Sequence, residues 1–471
     1  PVTPADVLWS FETLGTTGNP RYHAAWAKVA SAEQTGPRSV RFTFNVADRE
    51  LPLILGLRPV LQRAQWEGRD FEASGFEAPV GSGPYVVEKV TRGASITYRR
   101  NPDWWGRDLS FNRGQWNFDT IRYDYFSSNA AMFEAFKAGL IDVFREESAA
   151  RWVSAYDFPR MATGAVVKSE IPHHRPSGIE GLAFNTRRPL FSDWRVREAL
   201  ILAFDFEFIN RTLTGGAEPR IESYFSNSSL AMTPGAPAAG EERALLLRWK
   251  DSLLPGALEG YALPEAATPA ARRRNQRRAA ALLAEAGWHP DGQGLLHDDA
   301  GRPFRFEILL TTGQDQMAAL CAIYVEELKA LGIEARVTLQ DAALVKTRTN
   351  AFDFDMTHFI RSLSLSPGNE QLLYWGSAAA RVEGSRNWPG IESPAVDGLI
   401  AAMLAASTPE TFTVATRALD RVLVTGRYVI PIWYSDRSRI AHRRELHYPA
   451  RLPLYGDWLG FLPDLWWYEN P

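Results

Sequence analysis

Few residues of this chain are spaced for covalent chemistry. His173 and His174 are the only adjacent histidines, and neighbouring side chains of an extended segment point to opposite faces, which makes a poor metal-ligand set. Glu146 and Glu147 are adjacent in the same way, so charge at a turn is expected rather than an acid/base pair. The single cysteine, Cys321, excludes an intrachain disulfide and a cysteine-pair metal site. Its apolar neighbours at helical spacing predict a small buried hydrophobe. No His-Glu-x-x-His, Gly-x-x-x-x-Gly-Lys or Gly-x-Ser-x-Gly pattern occurs. The expectation is no catalytic residue, no metal and no cofactor. Carboxylates brought together from distant segments in an aromatic groove stay open as a hydrolase alternative.

Binding chemistry is better represented. Residues 356–360 read as a strand and are followed by a serine-rich loop, and ligands of open α/β lobes sit at such strand ends. His358 and Arg361, flanked by Ser362 and Ser364, would favour a carboxylate or phosphate on a ligand. The alternative is a capped turn with Arg361 in solvent. The chain holds 16 Trp, 15 Tyr and 25 Phe, most of which must be core, but Trp and Tyr also wall clefts through flat apolar contact and one polar tip. Trp375, Asn387 and Trp388, with Asn185, Trp433 and Tyr434, complete the set of candidate ligand-binding residues. Tyr224 and Phe225 either line the rim or pack under the segment that follows.

These residues need elements to position them. Thr3 and Pro4 open a helix over 3–14, and residues 39–46 alternate as a strand. Residues 85–90 and 96–100 form two further strands around the turn at Arg92-Gly93. Amphipathic helices are expected over 129–140, from Ser192, and from Thr268-Pro269 with Asn275, Ala279, Leu282, Leu283 and Ala286 inward. The arginines of 272–278 then form a solvated face rather than an anion site. An apolar strand over 304–310, a helix over 316–331 ended by Gly332 and an alternating strand over 333–339 predict a βαβ crossover in a parallel sheet. Residues 226–270, rich in Ser, Ala, Pro and Gly, read as a surface excursion with short helices.

A length of 471 residues suggests two or three domains, and 23% charged against 45% hydrophobic residues is an ordinary soluble composition. The net charge of −3 gives no basis for nucleic acid as a partner. No stretch has the roughly 18 apolar residues of a membrane span.

Three segments carry a family resemblance. Gly81-Ser-Gly-Pro-Tyr85 through Arg99-Arg-Asn-Pro-Asp-Trp-Trp105 resembles the signature of the large solute-binding proteins that feed peptide-type ABC importers, the extracellular solute-binding proteins of family 5 (peptide/nickel type). Ala183-Phe-Asn-Thr-Arg-Arg-Pro-Leu-Phe-Ser-Asp-Trp-Arg-Val-Arg-Glu-Ala-Leu200 is similar to the family's strand-to-helix crossing. Ser364-Leu-Ser-Pro-Gly-Asn-Glu-Gln371, Trp375-Gly-Ser-Ala-Ala379 and Gly384-Ser-Arg-Asn387 resemble the YejA-like branch, whose members bind oligopeptides and conjugates such as microcin C. The resemblance runs from about Thr3 to Trp467.

It implies an α/β, two-lobed periplasmic-binding-protein fold (type II, large cluster C type) with an extra subdomain. Carried over, residues 1–80 belong to that subdomain, 81–183 to the first lobe, 184–436 to the second lobe, and 437–471 return to the first, with crossings near Asn185 and Tyr434. It further implies an exported, periplasmic monomer that presents an oligopeptide or peptide conjugate to membrane permease subunits, with murein-derived peptides or microcin C-like compounds as ligands. The Thr3-Pro-Ala-Asp-Val7 motif stands far into the chains of relatives, so a leader and the N-terminal part of the first lobe are expected to be missing. Many peptide-binding relatives receive the ligand's free amino group on an aspartate that aligns with Ser364, and a neutral hydroxyl cannot replace that ion pair. A binder of another solute (a metal chelate, haem or an oligosaccharide) and a sensory ligand-binding module are the remaining alternatives.

Overall fold

The computed structural model describes residues 1–470 except Pro20, Arg21, Arg49, Ser74, Phe76, Leu365, Trp458 and Leu459. Local chemistry places the first elements. In helix Pro4–Thr16, the Thr3 hydroxyl accepts the Asp6 N–H (3.2 Å) while the Asp6 carboxylate accepts the Thr3 N–H (2.9 Å), a reciprocal cap with proline just inside it. Strands β1 (Val29–Gly36) and β2 (Ser39–Phe44) pair antiparallel beside it, with Phe42 stacked on Phe11. Strands β3 (Tyr85–Thr91), β4 (Ser95–Arg100) and β5 (Thr120–Asp124) form an antiparallel meander.

Two sheets position the site. β6 (Val143–Glu146) and β7 (Val166–Pro172) are followed by β8 (Ile179–Phe184), the short pair β9 (His289–Pro290) and β10 (Leu296–His297), then β11 (Arg305–Thr311), β12 (Glu334–Gln340), β13 (Met356–Arg361), β14 (Val429–Pro431) and β15 (Arg437–Arg443). One sheet has the order β6-β15-β7, all antiparallel; the other has the order β12-β11-β13-β8-β14. β11 runs parallel to β12 and β13, while β8 is antiparallel to β13 and β14, and residues 306–310 of β11 are buried without a break because helices cover both faces of the sheet around its parallel strands. Helix Asp315–Lys329 makes the expected crossover and buries Met317, Leu320, Cys321, Tyr324 and Leu328. Helices Pro394–Ala405 and Pro409–Thr425 close the opposite face over Ile179, Ala183 and Phe359. Helix Pro269–Glu285, capped by Thr268, buries Asn275, Ala279, Leu282 and Leu283 and leaves Arg273, Arg274, Arg277 and Arg278 in solvent.

The chain passes between these sheets twice, through 173–178 and through 432–436. Tyr434 lies in the second passage. The first lies upstream of Asn185, because β8 is already paired with β13 and β14 before the chain reaches that residue. Glycine is required at this join: Gly178 has φ +66°, and a Cβ there would stand 2.0 Å from the Arg361 carbonyl oxygen. Among the described residues no helix is long and apolar enough to cross a membrane.

Candidate functional site

A cavity of about 630 Å³ opens where both passages run between the sheets. Arg145, Glu146 and Glu147 at the end of β6, and Arg437, Ser438 and Arg439 of β15, line one side. His173, Arg175 and Ser177 of the first passage and Tyr434 and Ser435 of the second line its base. Glu180 of β8, with Ser362 and Leu363 just beyond β13, closes the other side.

Most of the charge here is balanced within the protein. Arg439 and Glu218, both buried, pair at 2.8 Å and tie β15 to the loop before Arg220. Burial holds the Glu218 carboxyl above the usual carboxylate range, against the pull of Arg439. Arg437 pairs with Asp436 (2.8 Å) and Glu170 (3.0 Å). Arg145 and Arg175 converge on the buried Asp457, which also accepts the Ser438 hydroxyl. Glu146 receives two hydrogen bonds from Arg151, at 2.6 and 2.8 Å. His173 is buried, and desolvation followed by the charge of Arg175 pushes its pKa down to about 4, so the ring is neutral.

Glu180 is held differently. The Thr311 N–H donates to Gln314 Oε1 (3.0 Å), which turns the amide nitrogen of Gln314 toward His358 Nδ1 (2.9 Å). Nδ1 therefore accepts, and the His358 Nε2–H donates to Glu180 Oε1 (3.0 Å). Glu147 is exposed and has no hydrogen bond or ion pair among the described residues.

The ten candidates named from sequence divide among the cavity, the exposed surface and the interior. Ser362 and Tyr434 line the cavity, and His358 stands behind Glu180. Ser364 is exposed, its hydroxyl accepting the Ser366 N–H (3.2 Å). Arg361 is buried among the rings of Phe359, Trp388 and Tyr374, with its guanidinium carbon 4.2, 5.0 and 5.4 Å from their centroids. It donates to the carbonyls of Ile360 (2.6 Å) and Arg386 (3.0 Å), and burial lowers its pKa to about 10. Asn185 donates to the Phe352 and Phe354 carbonyls (2.9 and 2.8 Å), fastening the end of β8 to the segment before β13. Asn387 donates to Gly376 and Ile391 and accepts from Gly390 and Ile391, so its amide is saturated by the turn 387–391 and by the Gly376 carbonyl. Trp375 is interior and donates to Gln371 (2.7 Å); Trp388 packs against Phe354 and Phe359. Trp433 packs on the core beside the sheet and bridges to Arg220. Tyr224 and Phe225 are buried in the core under the 226–270 excursion.

Sequence reading passed over Glu180, Arg439 and Arg175. A signal existed for the first: Glu180 is the one charged residue in Ile179-Glu-Gly-Leu-Ala-Phe184, an otherwise apolar strand. A charge in such a strand needs a reason. Among the described residues no group of three or more His, Cys, Asp or Glu side chains could hold a metal ion.

Two lobes joined by paired passages, with a polar cavity at the join, define a clamp-type solute-binding protein. The chain belongs to the bacterial extracellular solute-binding proteins, family 5, whose model ("family 5 Middle") matches residues 1–381. Proteins of this family act outside the cytoplasm, bind solutes, peptides among them, and work with ABC transporter membrane components; they are binding proteins rather than enzymes. The chain is 40% identical over 478 residues to a probable peptide-binding protein, YejA, of Agrobacterium fabrum, covering 99% of this chain and 76% of the relative. It is 38% identical over 480 residues to the same organism's peptidoglycan-binding protein YepA, with the same coverage. The oligopeptide-binding protein AppA of Bacillus subtilis, solved with a nonapeptide, shares the fold at a TM-score of 0.66 and 19% identity, over 100% of this chain and 84% of that one.

Proposed function

We propose that this protein captures oligopeptides or peptide conjugates in the periplasm, as a monomer, and delivers them unaltered to the permease of an ABC importer. Murein-derived peptides are the preferred ligand class and microcin C-like conjugates the second. The observation that carries this reading is the cavity at the double crossing, with cationic and anionic side chains on facing walls. A peptide brings both signs of charge and an unpaired backbone, and needs a pocket of a few hundred cubic ångströms with polar groups at fixed points. The cavity volume of about 630 Å³ falls in that range. Small backbone rotations at 173–178 and 432–436 would close the walls on a ligand and expel water. The likeness in name to peptide-binding and peptidoglycan-binding relatives supports the same class. ATP hydrolysis belongs to the partner subunits.

Native mass spectrometry of protein from its own host, followed by calorimetry with the murein tripeptide L-Ala-γ-D-Glu-meso-diaminopimelate, a tetrapeptide mixture and a nickel chelate, tests the assignment. Retention of peptides with no change in their mass after incubation is the expected result. Binding of the chelate alone, or appearance of hydrolysed products, would overturn it.

A further inference from the structure

The peptide reading leaves open which group of the ligand the cavity is built to receive, and the charges on its walls bear on that. Arg145 and Arg175 share Asp457, Arg437 holds both Asp436 and Glu170, and Arg439 holds Glu218, so four carboxylates of the protein meet the four arginines of the cavity. Glu146 is matched by Arg151. Glu180 and Glu147 are the two carboxylates of the walls with no arginine or lysine within ion-pair distance among the described residues; the nearby cation that Glu147 feels, Arg151, is bonded to Glu146. The surplus is therefore negative, and a buried or half-buried carboxylate without a counter-charge is costly until a cation arrives.

We propose that Glu180, posed by His358, accepts a primary ammonium group of the ligand; this rests on the peptide reading and specifies its recognition. The relay from Thr311 through Gln314 holds His358 as an Nε2–H donor, so the imidazole orients the carboxylate through a neutral hydrogen bond and leaves its charge in place. The strand register sets the direction. Glu180 pairs opposite Ile360, and Ile360 is 46% exposed, so the face of the sheet is uncovered at this end of β8 and β13. Ser362, just beyond the end of β13, lines the same cavity. An ammonium group carries three N–H donors, and Glu180, the Ser362 hydroxyl and the facing Glu147 are acceptors on both sides of it. His358 acts here as a positioning residue.

The test uses a randomised tetrapeptide mixture, free and N-acetylated, retained by the intact chain and read by mass spectrometry at pH 7.5. A lysine-free, arginine-free mixture leaves the N-terminus as the one cation. The wild type is expected to retain free peptides about 10- to 100-fold over acetylated ones, the range of a charge-assisted hydrogen bond. Glu180→Gln is expected to bring that ratio close to one, and His358→Phe to an intermediate value, an effect that mere loss of packing would not produce. Glu180→Asp, which keeps the charge one methylene further back, is the second variant should Glu180→Gln melt early, and is expected to lower the ratio in part. Equal retention of free and acetylated peptides by the wild type, or a ratio unmoved in Glu180→Gln, overturns this assignment while leaving the peptide reading intact. Retention of neither mixture overturns both.

Discussion

Replacing Arg439 by methionine would strand the Glu218 carboxylate inside the join between the lobes. The two side chains are 5% and 4% exposed and 2.8 Å apart through Glu218 Oε1, and the buried Glu218 Oε2 has no hydrogen-bond partner among the described residues. Removing one member of such a pair costs about 3–5 kcal/mol, because the survivor is left charged and dry. Glu218 already has its pKa raised by burial, with Arg439 opposing the rise; in Arg439→Met it would rise further. A carboxyl whose folded pKa lies above its unfolded value of about 4.5 contributes stability that is complete below the unfolded value and is lost as pH climbs through the folded one. The deficit of Arg439→Met should therefore be largest at pH 8 and smaller at pH 5, where the stranded carboxyl can take up a proton. Arg439→Met with Glu218→Gln removes both charges and should return to within about 1–2 kcal/mol of the wild type. Urea unfolding followed by tryptophan fluorescence at the two pH values measures all three variants. Equal deficits at pH 5 and pH 8, or a double variant as unstable as the sum of the singles, would refute the account of this pair.

Two further outcomes follow from burial. Arg361→Ala should lose about 2–3 kcal/mol of stability through two carbonyl hydrogen bonds and its stacking on Phe359 and Trp388, yet bind peptide within twofold of the wild type; a tenfold loss of affinity in a folded variant would return Arg361 to ligand contact. Cys321 is fully buried and its thiol is pushed up to about 12 by desolvation, so a thiol reagent at pH 8 should label the native protein only as fast as it unfolds, and rapid labelling would contradict that placement.

Much of the fold was legible residue by residue. Thr3 and Thr268 cap the helices they were expected to cap, and the crossover of β11, helix Asp315–Lys329 and β12 falls within a few residues of its expected bounds. These features depend on neighbours within one turn or one strand, so periodicity and capping chemistry suffice to read them. The passages between lobes were legible less well: Asn185 stands after β8, and nothing local distinguishes the strand that enters a sheet from the one that crosses to it.

Sequence alone determined the family, the α/β class and the segments from which a cavity could be built. Tertiary structure decided which polar side chains face that cavity. Asn185, Asn387 and Arg361 are of types suited to a ligand, and each instead satisfies backbone carbonyls inside the protein. A carbonyl of the chain and a carbonyl of a peptide present the same lone pairs, so residue type cannot tell them apart. Glu180 became visible only once antiparallel register set it opposite Ile360 and within 3.0 Å of His358, a meeting of residues 178 positions apart that local patterning does not encode.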